Sequence, residues 1–192
     1  INKICDVLEN FGYVPLETPT LEFAGTLLGK YGEEEKLIYQ FQDKGGRMLA
    51  LRYDLTVPLA RFVANNLGLL TPSFSRYQVG QVFRGENPQK GRFREFTQVD
   101  FDSVGSSDIA EDAKTVAAAI TAVRKLGLNE SQMAINDREI FKDLPTEVVR
   151  AIDKIYKIGK EAGKKEVLSK GLAESNASII DNIENQKPTE KI

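Results

Sequence analysis

The sequence predicts an α+β fold: an antiparallel sheet flanked by helices, followed by a small all-helical module. Segments with strand-like alternation follow one another in series, and segments with helical spacing are set apart from them. All ten Phe and five of the six Tyr lie at or before Phe141, so the aromatic side chains available for a core belong to that part of the chain. We therefore predict two domains, 1–141 and 142–192.

Local signals predict each element in turn. The apolar face of the opening helix ends before Gly12, and Pro15 and Pro19 favour an edge or interface strand after it. An early proline suits a helix over 56–66, and a Ser-Ser-Asp cap starts a long helix over 108–126. The other predicted elements are a hairpin of 37–41 and 48–51, strands over 74–84 and 93–101 around a polar loop shaped by Gly85, Pro88 and Gly91, and aromatic-poor helices around 148–158 and 167–183.

Composition excludes several kinds of chemistry. The 192 residues contain no His, one Cys and no Trp. His-based acid–base catalysis, Ser-His or Cys-His nucleophilic sites and zinc clusters are therefore excluded, and no metal site is predicted. The lone Cys5 cannot form an internal disulfide and the apolar stretches are too short to span a membrane, which favours a cytoplasmic protein. A net charge of −2 means that any nucleic-acid-binding surface must be local.

The stretch from Phe83 to Asp102 carries the candidate chemistry. Four basic residues and one acid lie between Arg84 and Arg94, which makes the local charge +3. If 92–102 is a strand, alternation puts six polar or aromatic side chains on one face: Arg92, Arg94, Phe96, Gln98, Asp100 and Asp102. Such a face suits a ligand floor, that is, a surface that binds a ligand, with arginines for phosphate, Phe96 for a flat ring, and Gln98 and the aspartates for amines. The two aspartates would repel each other unless a cation lay between them.

Ordinary structural roles compete with this interpretation. The stretch could be a two-stranded ribbon with a charged, solvated face, on which Gln98 and Asp100 are exposed edge residues. Arg52 and Asp54 could form a surface ion pair, and Thr56 could cap the helix that follows. The residues alone leave both interpretations open.

The spacing of one motif resembles that of a known class of enzymes. The motif reads Phe-Arg-x-Glu, followed after a loop by an arginine, a phenylalanine and an aspartate. In this chain the positions are Phe83, Arg84, Glu86, Arg92, Phe96 and Asp100. They resemble the second signature motif of class II aminoacyl-tRNA synthetases at every position, which implies the antiparallel sheet of that class.

Other segments narrow the resemblance to one family. Residues 12–21 resemble the first class II motif, which lies at the dimer interface, although Thr20 stands where an apolar residue is usual. The segments that look like the histidyl-tRNA synthetase family are 51–56, 87–92 and 94–102. The resemblance runs from about residue 1 to 185, and 142–192 is similar to the inserted domain of that family more loosely.

The resemblance implies an ATP site. Arg84 would be the catalytic residue, holding the α-phosphate of ATP and the substrate carboxylate. Glu86 would accept a hydrogen bond from the adenine amino group, Phe96 would stack on the adenine, and Arg92 would reach the terminal phosphates. Mg²⁺ would accompany ATP without a dedicated protein site.

The resemblance also implies sites for histidine and tRNA. The α-amino group of histidine would be bound by Asp54, the Leu55 backbone, Thr56 and Gln98, and Arg84 would meet the carboxylate. Asp102 would face the imidazole. A buried carboxylate there would reject substrates that lack a ring N–H, because an unpaired buried anion is costly. The loop residues expected at the tRNA acceptor stem are Gln89, Lys90 and Arg92.

The chain also departs from the family pattern. The third class II motif, the histidine-specific Arg/Tyr-Tyr element and the anticodon-binding domain are not found in it. We therefore expect a fragment, with 1–141 as a partial class II catalytic core and 142–192 as a helical segment of the insertion domain. Alone it should show little or no histidine activation. The longer protein would be a homodimer that uses L-histidine, ATP and tRNA(His).

Two other functions stay open. The regulatory subunit of ATP phosphoribosyltransferase is a non-catalytic paralogue that shares this fold and an Arg-Glu-Phe-Thr-Gln stretch. Glu86 and the loop 87–92 favour the enzyme, because a non-catalytic paralogue has little reason to keep an ATP and acceptor-stem loop. A stand-alone RNA-binding module is the third function, and its tRNA affinity should fall steeply with salt if the Lys90–Arg94 loop contacts phosphates.

Overall fold

Two small sheets and a series of helices make up the α+β fold that the sequence predicts. The computed structural model describes residues 1–71, 73–87, 89–135 and 137–182, so Pro88 and residues 183–192 of the sequence predictions lie outside the described residues. The elements in chain order are α1 (Asn2–Asn10), β1 (Val14–Pro15), β2 (Leu21–Phe23), α2 (Ala24–Leu27), β3 (Gln40–Gln42), β4 (Met48–Leu51), α3 (Thr56–Asn66), β5 (Phe74–Phe83), β6 (Glu95–Val104), α4 (Ile109–Lys125), α5 (Thr146–Ile158), α6 (Lys160–Ser169) and α7 (Glu174–Asn182), with 3-10 helices at Gly32–Leu37 and Arg138–Phe141.

The first sheet is built around one long antiparallel pair. Its strand order is β1-β5-β6, and the β5–β6 ladder runs from Phe74 opposite Val104 to Phe83 opposite Glu95. The two-residue β1 adds to the other edge of β5 in parallel and ends at Pro15. Proline has no N–H to donate to a ladder, so a short edge strand is what this residue predicts.

The two faces of the β5–β6 ribbon have different surroundings, because successive side chains point to opposite faces. Odd-numbered side chains of the ribbon pack with α1 and α4 in one hydrophobic cluster, whose members include Leu8, Tyr13, Tyr77, Val79, Val99, Phe101 and Ala118. Tyr13 meets Phe101 edge to face, with ring centroids 5.3 Å apart. The even-numbered side chains are therefore left on the opposite face.

The second sheet contains the predicted hairpin. Its strand order is β2-β4-β3, and all its pairs are antiparallel. The Asp43 carboxylate accepts hydrogen bonds from two backbone N–H groups of the turn, and Gly46 takes a positive φ of 79°. The first strand of the hairpin begins at Gln40 rather than at residue 37, because the residues before it form a 3-10 helix.

The helices of this part begin and end close to the predicted residues. α3 has the predicted bounds, and α4 lies one residue inside its prediction at each end. The Asp108 carboxylate accepts from the N–H of Ala110 at 2.9 Å and so caps α4 as the sequence predicts. An ion pair of 2.9 Å between Glu22 and Arg61 ties β2 to α3. Within the described ranges, no helix has the length and apolarity needed to cross a membrane.

Contacts divide the chain into two units, Ile1–Ser131 and Gln132 onward. In the second unit α5, α6 and α7 enclose their own core, made of Val148, Ala151, Ile152, Ile155, Val167, Ala177 and Ile180. Phe141 and Leu144 pack against that core. The division therefore lies before them, earlier in the chain than the sequence boundary after residue 141.

A buried arginine braces the first sheet. Arg52 is only 5% exposed, and its guanidinium donates to the backbone carbonyls of Gln81 at 2.7 Å and Thr18 at 2.8 Å. It crosses β5 at Gly80, where an added Cβ would lie 3.1 Å from Arg52 Cζ and still closer to Nη2. Glycine at this position therefore leaves the space that the guanidinium occupies.

We expect Gly80→Ala to destabilise the first unit by about 2 kcal/mol, because the added methyl group displaces Arg52 from its two carbonyl partners. Five of the six tyrosines lie in this unit, so urea unfolding followed by tyrosine fluorescence reports on it. Gly25→Ala is the matched control, since a Cβ at Gly25 meets nothing within 4 Å. An unfolding midpoint for Gly80→Ala equal to that of the control would contradict this account.

Candidate functional site

The candidate site lies on the face of the β5–β6 ribbon opposite the hydrophobic cluster with α1 and α4. The half-buried side chains that β6 contributes to it are Phe96, Gln98, Asp100 and Asp102. β6 begins at Glu95, so Arg92 and Arg94 precede the strand, and the prediction that they continue its face is wrong. The cause is local, because Arg92 pairs with Gln89 in an isolated bridge that closes the loop.

Arg76 lies between the two aspartates of this floor. It faces Asp102 across the β5–β6 ladder, with Nη2 2.7 Å from Asp102 Oδ2 and 3.9 Å from Asp100 Oδ2. The chain thus supplies the cation that two neighbouring carboxylates require. Sequence reasoning missed this residue, because its position opposite Asp102 depends on the register of the β5–β6 pair, which the predicted strand bounds do not fix.

Burial and charge act against each other in this cluster. Burial raises the pKa of Asp102 above its ordinary value; Arg76 opposes the rise, and the negative charges of Asp100 and Asp54 add to it. Burial likewise lowers the pKa of the Arg76 guanidinium, and the same three carboxylates oppose that change. An arginine remains charged throughout, so the cluster holds one fixed positive charge among three acids.

The segment from Asp54 to Thr56 reaches the floor from the start of α3. The Thr56 hydroxyl donates to Asp100 Oδ2 at 3.3 Å, which brings the start of α3 against the face of β6 that carries Gln98 and Asp102. Asp54 Oδ1 accepts from the N–H groups of Thr56 and Val57 and from the Tyr31 hydroxyl, so it is Asp54 that caps α3. The Leu55 carbonyl accepts from Arg76 Nη2 at 3.2 Å.

Gln98 presents an acceptor without a donor. Its Nε2 donates to Asp100 Oδ1 at 3.5 Å, while its Oε1 is buried and has no hydrogen-bond partner among the described residues. A buried acceptor left unpaired is costly, so this oxygen is suited to a ligand that brings an N–H.

Arg84 lies between two aromatic rings. Its Cζ is 4.5 Å from the ring centroid of Tyr53 and 5.1 Å from that of Phe96, and its Nε donates to the Tyr53 carbonyl at 3.2 Å. Stacking on the rings holds the guanidinium beside the segment that carries Asp54. The predicted catalytic arginine and the predicted adenine-stacking ring therefore lie together.

The two other residues predicted for ATP pair with each other. Arg92 Nη1 donates to a Glu86 carboxylate oxygen at 2.8 Å, and the Arg92 side chain is 62% exposed. An exposed pair of this kind contributes little to stability, so a phosphate can replace the carboxylate at small cost. Gln89 and Lys90 are exposed on the same loop, next to Pro88, which lies outside the described residues.

The competing structural roles fare differently. Arg52 is buried against backbone carbonyls, so the alternative of a surface ion pair with Asp54 is wrong. The helix cap assigned to Thr56 belongs to Asp54 instead. Gln98 and Asp100 are half-buried and bonded to each other, which also excludes solvated edge residues.

A mostly apolar cavity of about 430 Å³ opens beside the floor, between α3 and the end of β6. Thr56 and Asp102 border it, and Leu59, Val63 and Val104 line its wall. A ligand held by the carboxylates would therefore have an apolar surface next to it. Among the described residues, no group of three or more His, Cys, Asp or Glu side chains is arranged to hold a metal ion.

Known sequences resemble this chain over nearly its whole length. The family model described as histidyl-tRNA synthetase matches residues 1–188. The histidine–tRNA ligase of Aeropyrum pernix is 46% identical over 95% of this chain and 45% of its own length, and that of Wolinella succinogenes is 42% identical over 94% and 43%. The chain thus spans less than half the length of these relatives.

Solved structures resemble its fold. The histidyl-tRNA synthetase of Nostoc sp. PCC 7120 aligns with a TM-score of 0.77 and 29% identity, covering 97% of this chain and 44% of that one. A structure described as an ATP phosphoribosyltransferase regulatory subunit/histidyl-tRNA synthetase from Bacillus halodurans C aligns with a TM-score of 0.73 over 94% of this chain and 49% of its own, but at 24% identity that likeness concerns the fold alone. The match of the family model to 188 of the 192 residues leads to one conclusion: the chain belongs to the histidyl-tRNA synthetase family.

Proposed function

We propose that this chain is the ATP- and histidine-binding part of a histidine–tRNA ligase. In that reaction the histidine carboxylate attacks the α-phosphorus of ATP and pyrophosphate leaves. The histidyl group of the adenylate then passes to a hydroxyl of tRNA(His), and AMP leaves. The observation that carries the proposal is the gathering of the motif residues of three separate segments on one floor, with Arg84 over Phe96 and Thr56 bonded to Asp100. Family membership supports the same reaction.

The acids and the amide of the floor suit histidine. The buried Gln98 Oε1 and the second oxygen of Asp54 are acceptors for an ammonium group, and Thr56 lies beside them. Asp102 Oδ2 forms an ion pair with Arg76, which leaves Oδ1 to accept from an imidazole N–H. A substrate without that N–H would leave Oδ1 of a partly buried carboxylate without a donor, and this cost gives selectivity.

The arginines suit ATP. Arg84 is fixed between two rings, so its charge is already in position for the negative charge that develops at the α-phosphorus. The adenine would stack on the face of Phe96 that Arg84 leaves open, and Arg92 would exchange Glu86 for the terminal phosphates. Mg²⁺ would enter with ATP and neutralise the leaving pyrophosphate. No general base is required, because a carboxylate is already ionised at pH 7.

We also propose contacts with tRNA and with a second copy. The exposed residues Gln89, Lys90 and Arg92 suit an acceptor stem, because their loop carries positive charge that can contact phosphates. The second sheet exposes Leu21, Phe23 and Phe41 on a single face, next to the segment that resembles the first class II motif. An apolar face of this kind suits a homodimer. The protein would act in the cytoplasm, where it meets its tRNA.

A regulatory paralogue would not need these features. It would have no use for an arginine held over Phe96 or for an exposed pair of Arg92 with Glu86 beside it. These contacts favour the ligase. The structure offers no observation that specifically favours a non-catalytic role.

We expect the 192-residue chain by itself to catalyse little or no histidine-dependent ATP–pyrophosphate exchange. The chain spans less than half the length of its relatives, and the resemblance assigns parts of both pockets to segments outside it. The full-length gene product, assayed in parallel, is the positive control. Exchange by the 192 residues at a rate comparable with that control would show that they hold a complete site.

In the full-length gene product, we expect Arg84→Ala to lower the rate of adenylate formation by roughly 10²- to 10³-fold, the usual scale for losing a charge that stabilises a transition state. The circular dichroism spectrum and the melting temperature should change little. Arg47→Ala, which removes an exposed arginine at the hairpin turn, is the control. A variant that unfolds would identify Arg84 as a structural residue instead.

We expect Asp102→Asn to raise the KM for histidine about tenfold or more while the KM for ATP changes little, because the amide lacks the charge that holds the imidazole N–H. Pyrophosphate exchange with each substrate varied in turn measures both constants. Asp112→Asn, an exposed carboxylate on α4, serves as the control. Equal increases in both constants would remove Asp102 from the amino-acid pocket.

A further inference from the structure

Arg76 is the largest of the fully buried side chains that the structure describes, with 0% exposure. Burying a guanidinium is unfavourable unless its charge is paired and its N–H groups are bonded. A fully buried arginine therefore indicates that the groups around it require its charge or its N–H donors. The partners of Arg76 are therefore the guide to its role.

These partners belong to two segments that are far apart in the sequence. On β6, Arg76 Nη2 meets Asp102 Oδ2 at 2.7 Å, and Nη1 donates to the Asp100 carbonyl at 3.5 Å. At the start of α3, Nη2 donates to the Leu55 carbonyl at 3.2 Å. One planar group thus joins the strand that carries Asp102 and Gln98 to the turn that carries Asp54 and Thr56.

The charges around Arg76 explain why a cation is needed at this place. Asp100 and Asp102 on β6 pair with it, and Asp54 in the turn before α3 adds a third negative charge to its surroundings. Without Arg76 the three carboxylates would repel one another across the pocket, and the pKa of Asp102, which burial already raises, would lose the opposing effect of the guanidinium. A protonated or rotated Asp102 would be a poorer acceptor for a ring N–H.

We propose that Arg76 is a positioning residue for amino-acid selection: it fixes Asp102 through Oδ2 so that Oδ1 faces the substrate, and it holds the Leu55 carbonyl so that Asp54 and Thr56 stay aligned with that carboxylate. The inference rests on the proposed histidine site. It assigns to Arg76 no contact with the substrate. Its effect on histidine passes through Asp102 and the turn.

Arg52 offers a matched comparison within the same sheet. It is also a buried arginine, at 5% exposure, but its bonds go to the backbone carbonyls of Thr18 and Gln81. Its removal should weaken the fold without disturbing Asp102. The two arginines therefore separate a loss of stability from a loss of positioning.

The experiment uses the full-length gene product and measures pyrophosphate exchange with histidine and ATP varied in turn. The variants are Arg76→Met, Arg76→Lys, Asp102→Asn, the double variant Arg76→Met/Asp102→Asn, and Arg52→Met as the control. KM values are read because they do not depend on the fraction of folded enzyme. Melting temperatures are recorded beside them.

We expect Arg76→Met to raise the KM for histidine about tenfold or more, which is the usual effect of removing a residue that orients a ligand-binding side chain. The KM for ATP should change less than about threefold. The double variant should raise the histidine KM by less than the product of the two single effects, because the part of the Arg76 effect that passes through Asp102 is already lost in Asp102→Asn. Arg76→Lys should give a smaller increase, since a lysine keeps the charge but cannot join both segments with a planar fork. Arg52→Met should lower the melting temperature and leave the ratio of the two KM values unchanged.

Two results would overturn the proposal: effects of Arg76→Met and Asp102→Asn on histidine KM that multiply in the double variant, or equal changes in both KM values. If Arg76→Met does not fold, Arg76→Lys decides, and a histidine KM equal to that of the wild type overturns the proposal. Absence of histidine-dependent exchange in the wild-type protein would overturn the proposed function as well. Exchange in the wild type with an unaffected Arg76→Met removes only the role of Arg76.

Discussion

The antiparallel ladder between β5 and β6 determines where every other part of the site lies. Ten residues of each strand pair without interruption, so the alternation of side chains carries through from Phe74 to Val104. One face packs in the hydrophobic cluster with α1 and α4. The even-numbered side chains therefore lie on the other face, whatever their polarity. A shift of β6 by one residue in this register would turn Asp100 and Asp102 toward the core and expose Val99 and Phe101. The core and the candidate site are therefore specified by one set of hydrogen bonds.

Two buried arginines make the polar face possible. Arg52 crosses β5 at Gly80 and donates to the backbone carbonyls of Thr18 and Gln81. It thereby provides donors for these two carbonyls. Arg76 lies further along β5 and neutralises part of the charge of Asp100 and Asp102. The same side-chain type thus serves the backbone at one position and the carboxylates at the other. The two arginines have different roles because their neighbours in the fold are different, and the residue type alone does not predict those neighbours.

Elements with a strong local signal were predicted well. α3 matches its predicted bounds and α4 begins at its Asp108 cap, because helix ends depend on residues next to one another in the chain. Boundaries that depend on distant partners were predicted less well. β6 starts at Glu95 because Gln89 and Arg92 pair with each other in the loop before it. The alternation of side chains in the sequence does not predict such a bridge. Arg92 and Arg94 therefore do not belong to the polar face of β6, contrary to the prediction.

The candidate site shows the same division. Arg84, Phe96, Gln98 and Asp102 could be found from their spacing, because a motif is a property of the sequence. Sequence also established that these 192 residues contribute no imidazole to the site, since they contain no histidine. Tertiary structure decided that Arg84 lies between Tyr53 and Phe96, and that Arg76 lies between Asp100 and Asp102. These contacts join residues from separate segments of the chain, and which residues of two segments meet depends on strand register and packing, which the order of residues does not specify.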